Sequence, residues 1–183
     1  MQGNIVQGRI HWLQPKWAVP RLLSGIEAGV IGGIAMLALL VSGSWWRGDP
    51  WWMPTNLLGS TFYGAQALSA GPNRATLAGG ALHVFITGSI GAVFGLVCAG
   101  IPCRRRLVLL GTLAGLIWHG LADALVWRRI NPLIPMYSAQ PATLLSHALF
   151  GACLGYVGQR LPPPGLVAAP KAQEAPREPD GVE

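Results

Sequence analysis

Residues 22–46 read LLSGIEAGVIGGIAMLALLVSGSWW, and Glu27 is the one charged residue among them. An α-helix rises 1.5 Å per residue, so about 20 apolar residues cross the roughly 30 Å hydrocarbon layer of a bilayer. Trp45 and Trp46 end the run with the amphipathic rings that favour a membrane interface. We therefore predict that this stretch is a membrane-spanning helix.

Three further apolar runs of similar length follow, at 75–101, 107–127 and 142–161. Hydrophobic residues make up 51% of the 183-residue chain and charged residues 11%, and the mean hydropathy is +0.42. Soluble domains carry about 25% charged residues. The sequence thus predicts an all-α integral membrane bundle of four transmembrane helices, with too little remaining chain for a separate catalytic domain.

The basic residues indicate the orientation of the bundle. Three of the 13 Lys and Arg lie in the N-terminal tail, three in the 102–106 connection and three at the C-terminal end, whereas the 47–74 and 128–141 connections hold two each. The positive-inside rule then predicts that both termini are cytoplasmic. Because the charges are scattered over the span ends, the net charge of +6 does not indicate a nucleic-acid-binding face.

The segments outside the bundle of residues 22–161 have distinct compositions. Residues 1–21 mix tryptophan with basic residues, which predicts a cytoplasmic segment lying at the headgroup level. Residues 162–183 are rich in proline and small or charged residues, which predicts a disordered cytoplasmic tail. In size and pattern the chain resembles small four-span proteins of the bacterial inner membrane, which implies that location.

The first outer connection, 47–74, is long and begins among four tryptophans. Thr55 or Asn56 is a candidate N-cap for a short helix with one apolar face. We expect this segment to lie on the membrane as an interfacial helix, with a lid over the bundle as the alternative.

Every predicted span carries glycines four residues apart, which place small residues on one helix face. Such faces allow the close approach by which membrane helices pack or form oligomers. The glycines are Gly25, Gly29 and Gly33 in the first span, Gly91 and Gly95 in the second, Gly111 and Gly115 in the third, and Gly151 and Gly155 in the fourth.

Three histidines and one aspartate extend these glycine faces by whole steps of four residues. They are His83, His119, His147 and Asp123. The predicted topology places all four in one layer near the outer surface and facing the bundle interior. Polar groups in a membrane are costly unless paired, so the layer is either a structural hydrogen-bond network or a functional site.

Three functional hypotheses remain open for this layer. His83 and His147 have the side chains of axial ligands for a b-type haem, with neighbouring glycines making room for the macrocycle. His83, His119, His147 and Asp123 have donor atoms suited to a copper, zinc or iron ion. A histidine and a carboxylate also suit a proton or ion path, or a quinone pocket.

Glu27 offers a separate hypothesis. A carboxylate in the first of four spans resembles the small multidrug-resistance exporters, and the resemblance implies proton coupling at Glu27. The 47–74 connection is much longer than the tight loops of that family. The alternative is that Glu27 reaches the interface or pairs with a basic residue there, such as Arg21.

A weak internal repeat relates the two halves of the chain. Trp46-Arg47, Asn56 and His83 recur in order as Trp127-Arg128, Asn131 and His147. Two parallel helical hairpins would account for this order, and so would chance similarity in a biased composition.

Taken together, these features favour a non-catalytic membrane subunit or scaffold that packs against lipid and against other membrane subunits or a second copy. No nucleic-acid partner is expected. The alternatives are an electron-transfer subunit holding haem b or a metal, and a small proton-coupled transporter acting as an oligomer.

The topology predicts which side of the membrane the first long connection faces. Cysteines introduced singly between residues 56 and 66 should react with a membrane-impermeant maleimide added outside intact cells. Labelling that required disrupted cells would invert the topology.

Overall fold

The structure is a computed structural model and describes residues 15–98, 101–138 and 140–158. All regular secondary structure in those ranges is helical. The elements are α1 (Pro15–Trp46), α2 (Met53–Tyr63), a 3₁₀ turn (Ala65–Leu68), α3 (Arg74–Val97), α4 (Arg104–Leu121), a π-helical segment (Ala122–Trp127), α5 (Arg128–Ile130), α6 (Leu133–Tyr137) and α7 (Gln140–Val157).

Three helices are long and apolar enough to cross a membrane, which confirms the predicted all-helical, membrane-compatible class. They are Ala18–Trp46, Arg74–Val97 and Arg104–Ile130, the last formed by α4, the π-helical segment and α5 together. The fourth predicted span corresponds to a shorter apolar helix, Pro141–Val157. The number of spans therefore stays a prediction.

Helix boundaries differ from the predicted ones by a few residues. α1 begins at Pro15, within the predicted interfacial segment 1–21, and residues 1–14 lie outside the described residues. The predicted tail, 162–183, also lies outside them. α3 begins at Arg74 because Asn73 caps it: its Oδ1 accepts a hydrogen bond from the Ala75 N–H at 2.7 Å.

The first pair of long helices, α1 and α3, packs with direct backbone contact at glycines. A Cβ added at Gly25 would collide with the carbonyl oxygen of Gly91, and one added at Gly91 would collide with the carbonyl oxygen of Gly25. A Cβ at Gly29 would lie 3.0 Å from the Gly91 Cα atom. Glycine is therefore required here for the two helices to approach this closely.

α4 and α7 pack in the same way. A Cβ added at Gly111 would meet the carbonyl oxygen of Gly151, and one added at Gly115 would meet that of His147. α1 also packs on α7, so the long helices follow the order α3, α1, α7, α4. Phe150 and Leu154 of α7 are fully buried in the core of this arrangement.

The glycine contacts define a register between the two helix pairs. The carbonyl oxygen facing Gly29 belongs to Thr87, and the one facing Gly115 belongs to His147. Thr87 thus occupies the position equivalent to His147, whereas the sequence repeat aligned His147 with His83. The two histidines differ by one helical turn in this register.

The backbone contacts predict the effect of a single methyl group. Gly91→Ala should lower the free energy of unfolding by about 1–3 kcal/mol, because backbone atoms cannot move aside as a flexible side chain would. Gly80→Ala, on the same helix, is the control. A Cβ at Gly80 meets nothing within 4 Å, so this change should be neutral or stabilising through helix propensity. Equal losses for both variants in denaturant titrations would contradict the packing described.

Candidate functional site

A chamber of about 260 Å³ lies inside the bundle at the end where α2 is located. All four long helices contribute to its wall, and α2 and α6 border it at that end. Its apolar lining includes Met36 and Leu40 of α1, Ile86 and Ile90 of α3, and Phe150 of α7. It begins beyond the glycine contacts that join α1 to α3 and α4 to α7. α3 and α4 are the two outermost helices in the order α3, α1, α7, α4.

The chamber wall includes all four residues singled out from the sequence: His83 of α3, His119 of α4, Asp123 of the π-helical segment and His147 of α7. The His119 and His147 rings are in contact, with centroids 4.8 Å apart and planes tilted by 43°. His83 and His147 are buried, and His119 and Asp123 are half-buried.

Backbone carbonyls fix the tautomers of the two buried histidines. The Nε2 atom of His83 lies 2.8 Å from the Gly33 carbonyl oxygen, and the Nδ1 atom of His147 lies 2.8 Å from that of Thr143. A carbonyl oxygen can only accept, so each of these nitrogens carries the hydrogen. In the neutral ring the other nitrogen is a bare acceptor: Nδ1 in His83 and Nε2 in His147.

The haem hypothesis receives no support from this geometry. It required room beside the glycines of α3 and α7, but the backbone of α1 fills the space at Gly91 and that of α4 fills the space at Gly151. The Nε2 atom of His83 is also occupied by its bond to Gly33.

The metal hypothesis receives no support either. Within the described ranges, no three His, Cys, Asp or Glu side chains are grouped closely enough to hold a metal ion. His83, His119, His147 and Asp123 share the wall of a chamber without forming a ligand cluster.

The π-helical segment Ala122–Trp127 shapes the α4 side of the chamber. A π-helix has wider turns than an α-helix, and such segments recur at functional sites. Ala122, Asp123 and Trp127 all line the chamber, together with His119 one turn earlier. The sequence predicts a regular helix for this stretch, because nothing in its hydropathy marks the change of winding.

The chamber is bordered by an ion pair that the sequence analysis did not identify. Arg47 Nε donates to Asp49 Oδ2 at 3.0 Å, and Arg47 Nη2 donates to Ser44 Oγ at 3.3 Å. All three residues line the chamber. The side chains of Arg47 and Asp49 are 41% and 46% exposed, so the pair stabilises the fold little. This ion pair places two opposite charges at the rim of the chamber.

α2 lies over the bundle and packs against α3. A Cβ at Gly79 would collide with the carbonyl oxygen of Thr55, and one at Gly59 with that of Ala75. The prediction that Thr55 or Asn56 caps this helix is wrong, because α2 begins at Met53 and both residues are buried inside it. The Thr55 hydroxyl donates to the Trp52 carbonyl oxygen at 2.9 Å, and the Asn56 side chain makes tertiary contacts.

Asn56 ties the first connection together. Its Nδ2 donates to the carbonyl oxygens of Ala67 at 2.9 Å and Gly71 at 2.8 Å, and its Oδ1 accepts from Thr76 Oγ1 at 2.5 Å. The side chain is fully buried, so these bonds satisfy it where water is excluded.

Asn131 joins the second connection to α2. Its Nδ2 donates to Ser60 Oγ at 2.8 Å and to Thr61 Oγ1 at 3.0 Å, and its Oδ1 accepts from the Leu133 N–H at 3.2 Å. α2 is therefore held from both halves of the chain. The weak repeat contains both Asn56 and Asn131 and is the sequence signal that the two share.

Glu27 belongs to a different region of the bundle. It is exposed on α1 and does not line the chamber, whose α1 residues begin at Met36. The structure therefore does not bring Glu27 together with Asp123.

Comparisons with protein-family models, with curated proteins and with solved structures found no match to this chain. The site is therefore interpreted from its own geometry.

The Asn131 bonds predict how α2 is held in place. Asn131→Ala should cost about 1–3 kcal/mol, because it leaves the buried Ser60 hydroxyl without this partner. Amide hydrogen exchange in residues 53–63 should accelerate accordingly. Ser69→Ala, an exposed change in the 47–74 connection that contains α2, should leave that exchange rate unaltered. Protection of α2 that survived Asn131→Ala would refute this anchoring role.

Proposed function

We propose that this chain is a non-catalytic integral membrane subunit whose chamber binds a small amphipathic molecule. The observation that carries the proposal is the convergence of His83, His119, His147 and Asp123 on the wall of one chamber whose lining is otherwise mainly apolar. Ligand sites in proteins are mainly apolar cavities with a few converging polar groups.

The size of the chamber supports a small ligand. Its volume of about 260 Å³ lies just below the roughly 300–1,000 Å³ usual for ligand pockets. Residues of six helices border it, so a molecule inside would contact the protein on several sides. The α2 end is the natural side of entry, because the half-exposed Arg47 and Asp49 lie there.

The hydrogen bonds of the two buried histidines support the binding proposal. His83 and His147 each bond to a backbone carbonyl through one ring nitrogen and keep the other nitrogen as an acceptor. Their bonds fix the rings in place, which suits recognition of a bound polar group.

The membrane arrangement completes the proposal. We place the four apolar helices across the inner membrane of a bacterium with both termini in the cytoplasm, so that the chamber lies in the outer half. The exposed Trp51, Phe62 and Tyr63 of the α2 region suit the outer interface. This arrangement rests on the lysine and arginine count.

The surroundings of the bundle are proposed to be lipid and other membrane subunits or a second copy. The exposed apolar residues Leu109, Leu113 and Ile117 on α4 suit either neighbour. A proton-coupled transporter that uses Glu27 is less favoured, because Glu27 does not line the chamber.

Filling the chamber tests the binding function. In nanodiscs, the wild-type chain should bind 1-naphthalenemethanol saturably at about one molecule per chain, as measured by calorimetry against empty nanodiscs. Ala142→Phe should abolish this binding, because residue 142 lines the chamber and the larger side chain would occupy it.

Leu144→Phe is the matched control on the same helix. Leu144 is 47% exposed and does not line the chamber, so binding should remain at the wild-type level. Equal binding by the wild type and a folded Ala142→Phe variant would refute the chamber as the site.

A further inference from the structure

The deepest polar side chains of the chamber have a common property. His83, Thr87 and His147 are 5%, 4% and 9% exposed, and all three line the chamber. Each of them donates its hydrogen to a backbone carbonyl. The His83 ring donates to the Gly33 carbonyl oxygen, and the His147 ring donates to the Thr143 carbonyl oxygen. The Thr87 hydroxyl donates to the carbonyl oxygen of His83 at 2.9 Å.

These three side chains can therefore only accept further hydrogen bonds. A charged imidazolium is costly inside a membrane, so each histidine ring is neutral and keeps one bare nitrogen. The Thr87 hydroxyl likewise retains only its oxygen lone pairs. Within the described residues, no hydrogen bond reaches Nδ1 of His83 or Nε2 of His147.

The half-buried part of the wall adds one more acceptor. Asp123 makes no hydrogen bond or ion pair within the part of the chain that the structure describes. The donor groups of Arg47 and Tyr137 lie at the exposed rim: the Arg47 side chain is 41% exposed and Tyr137 is 55% exposed. His119, Trp118 and Trp127 are half-buried in the wall, and each carries a ring N–H donor. The chamber is thus divided into a buried floor of acceptors, formed by His83, Thr87 and His147, and a less buried wall and rim that carry donors.

We propose that the chamber selects molecules whose inner polar group is a hydrogen-bond donor, a hydroxyl or an amine, received by the bare nitrogens of His147 and His83. This inference rests on the proposed binding function and specifies its ligand class. A carbonyl or ether oxygen placed against His83, Thr87 and His147 would face only their lone pairs and would lose its hydrogen bonds to water without replacement from these three side chains. The apolar body of the molecule lies against Met36, Ile90 and Phe150.

Four probes of the same naphthalene frame separate donor from acceptor chemistry. 1-Naphthalenemethanol and 1-naphthylmethylamine carry donors, whereas the methyl ether of the alcohol and 1-naphthaldehyde carry none. With the full chain in nanodiscs, we expect both donor compounds to bind at least about fivefold more tightly than the ether and the aldehyde. The amine is an ammonium ion at neutral pH, so the ratio of alcohol to amine affinity shows whether the chamber prefers a neutral or a charged donor.

Two substitutions identify the acceptor atoms. His147→Asn removes Nε2 and keeps an amide donor near the place of Nδ1, facing Thr143. His83→Gln removes Nδ1 and keeps an amide donor near the place of Nε2, facing Gly33. In at least one of these variants the alcohol-to-ether affinity ratio should fall below about twofold, with ether binding unchanged.

Ser89→Ala is the control on α3, because Ser89 is exposed and outside the chamber. It should retain the wild-type affinity ratio. Ether or aldehyde binding as tight as that of the alcohol, still abolished by Ala142→Phe, would overturn the donor rule and leave the chamber intact as a binding site. Failure of all four probes to bind the folded wild-type chain would overturn both the donor rule and the proposed function.

Discussion

Direct backbone contact at glycines is the constraint on which the rest of the structure depends. Gly25 and Gly91 bring α1 against α3, and Gly111 and Gly151 bring α4 against α7. Lipid tails are as apolar as the helices, so close packing has to supply the attraction that burial supplies in water. Beyond these contacts, towards α2, the tight pairs continue into side chains of ordinary size, and the chamber lies in the space between them.

The sequence predicts the features that depend on local pattern. Hydropathy runs locate the long helices to within a few residues, and four-residue spacing selects His83, His119, His147 and Asp123. Features that depend on a distant partner are not predictable in this way. From the sequence alone, Gly91 indicates free space beside α3, and only the fold shows that the backbone of α1 fills that space.

The buried asparagines illustrate the same limit. Asn56 has the residue type of a helix cap, yet its bonds reach residues 11 to 20 positions away in the chain. A side-chain amide has two donors and an acceptor, so it can be a cap or a tertiary link with equal chemical ease. Burial decides between them, and burial is a property of the fold. The π-helical winding at Asp123 is a similar case, since its residues suit an α-helix equally well.

The bond from Asn131 to Ser60 also has a consequence for the order of assembly. The Asn56 bonds and the α1–α3 contacts lie entirely within the first half of the chain, so that half can take shape as soon as it has entered the membrane. The Asn131 amide is translated some 70 residues after its hydroxyl partners, at a sequence separation of 71 from Ser60. The chamber wall needs His119 and His147 as well as His83, so the chamber cannot be complete before the second half of the chain has been made.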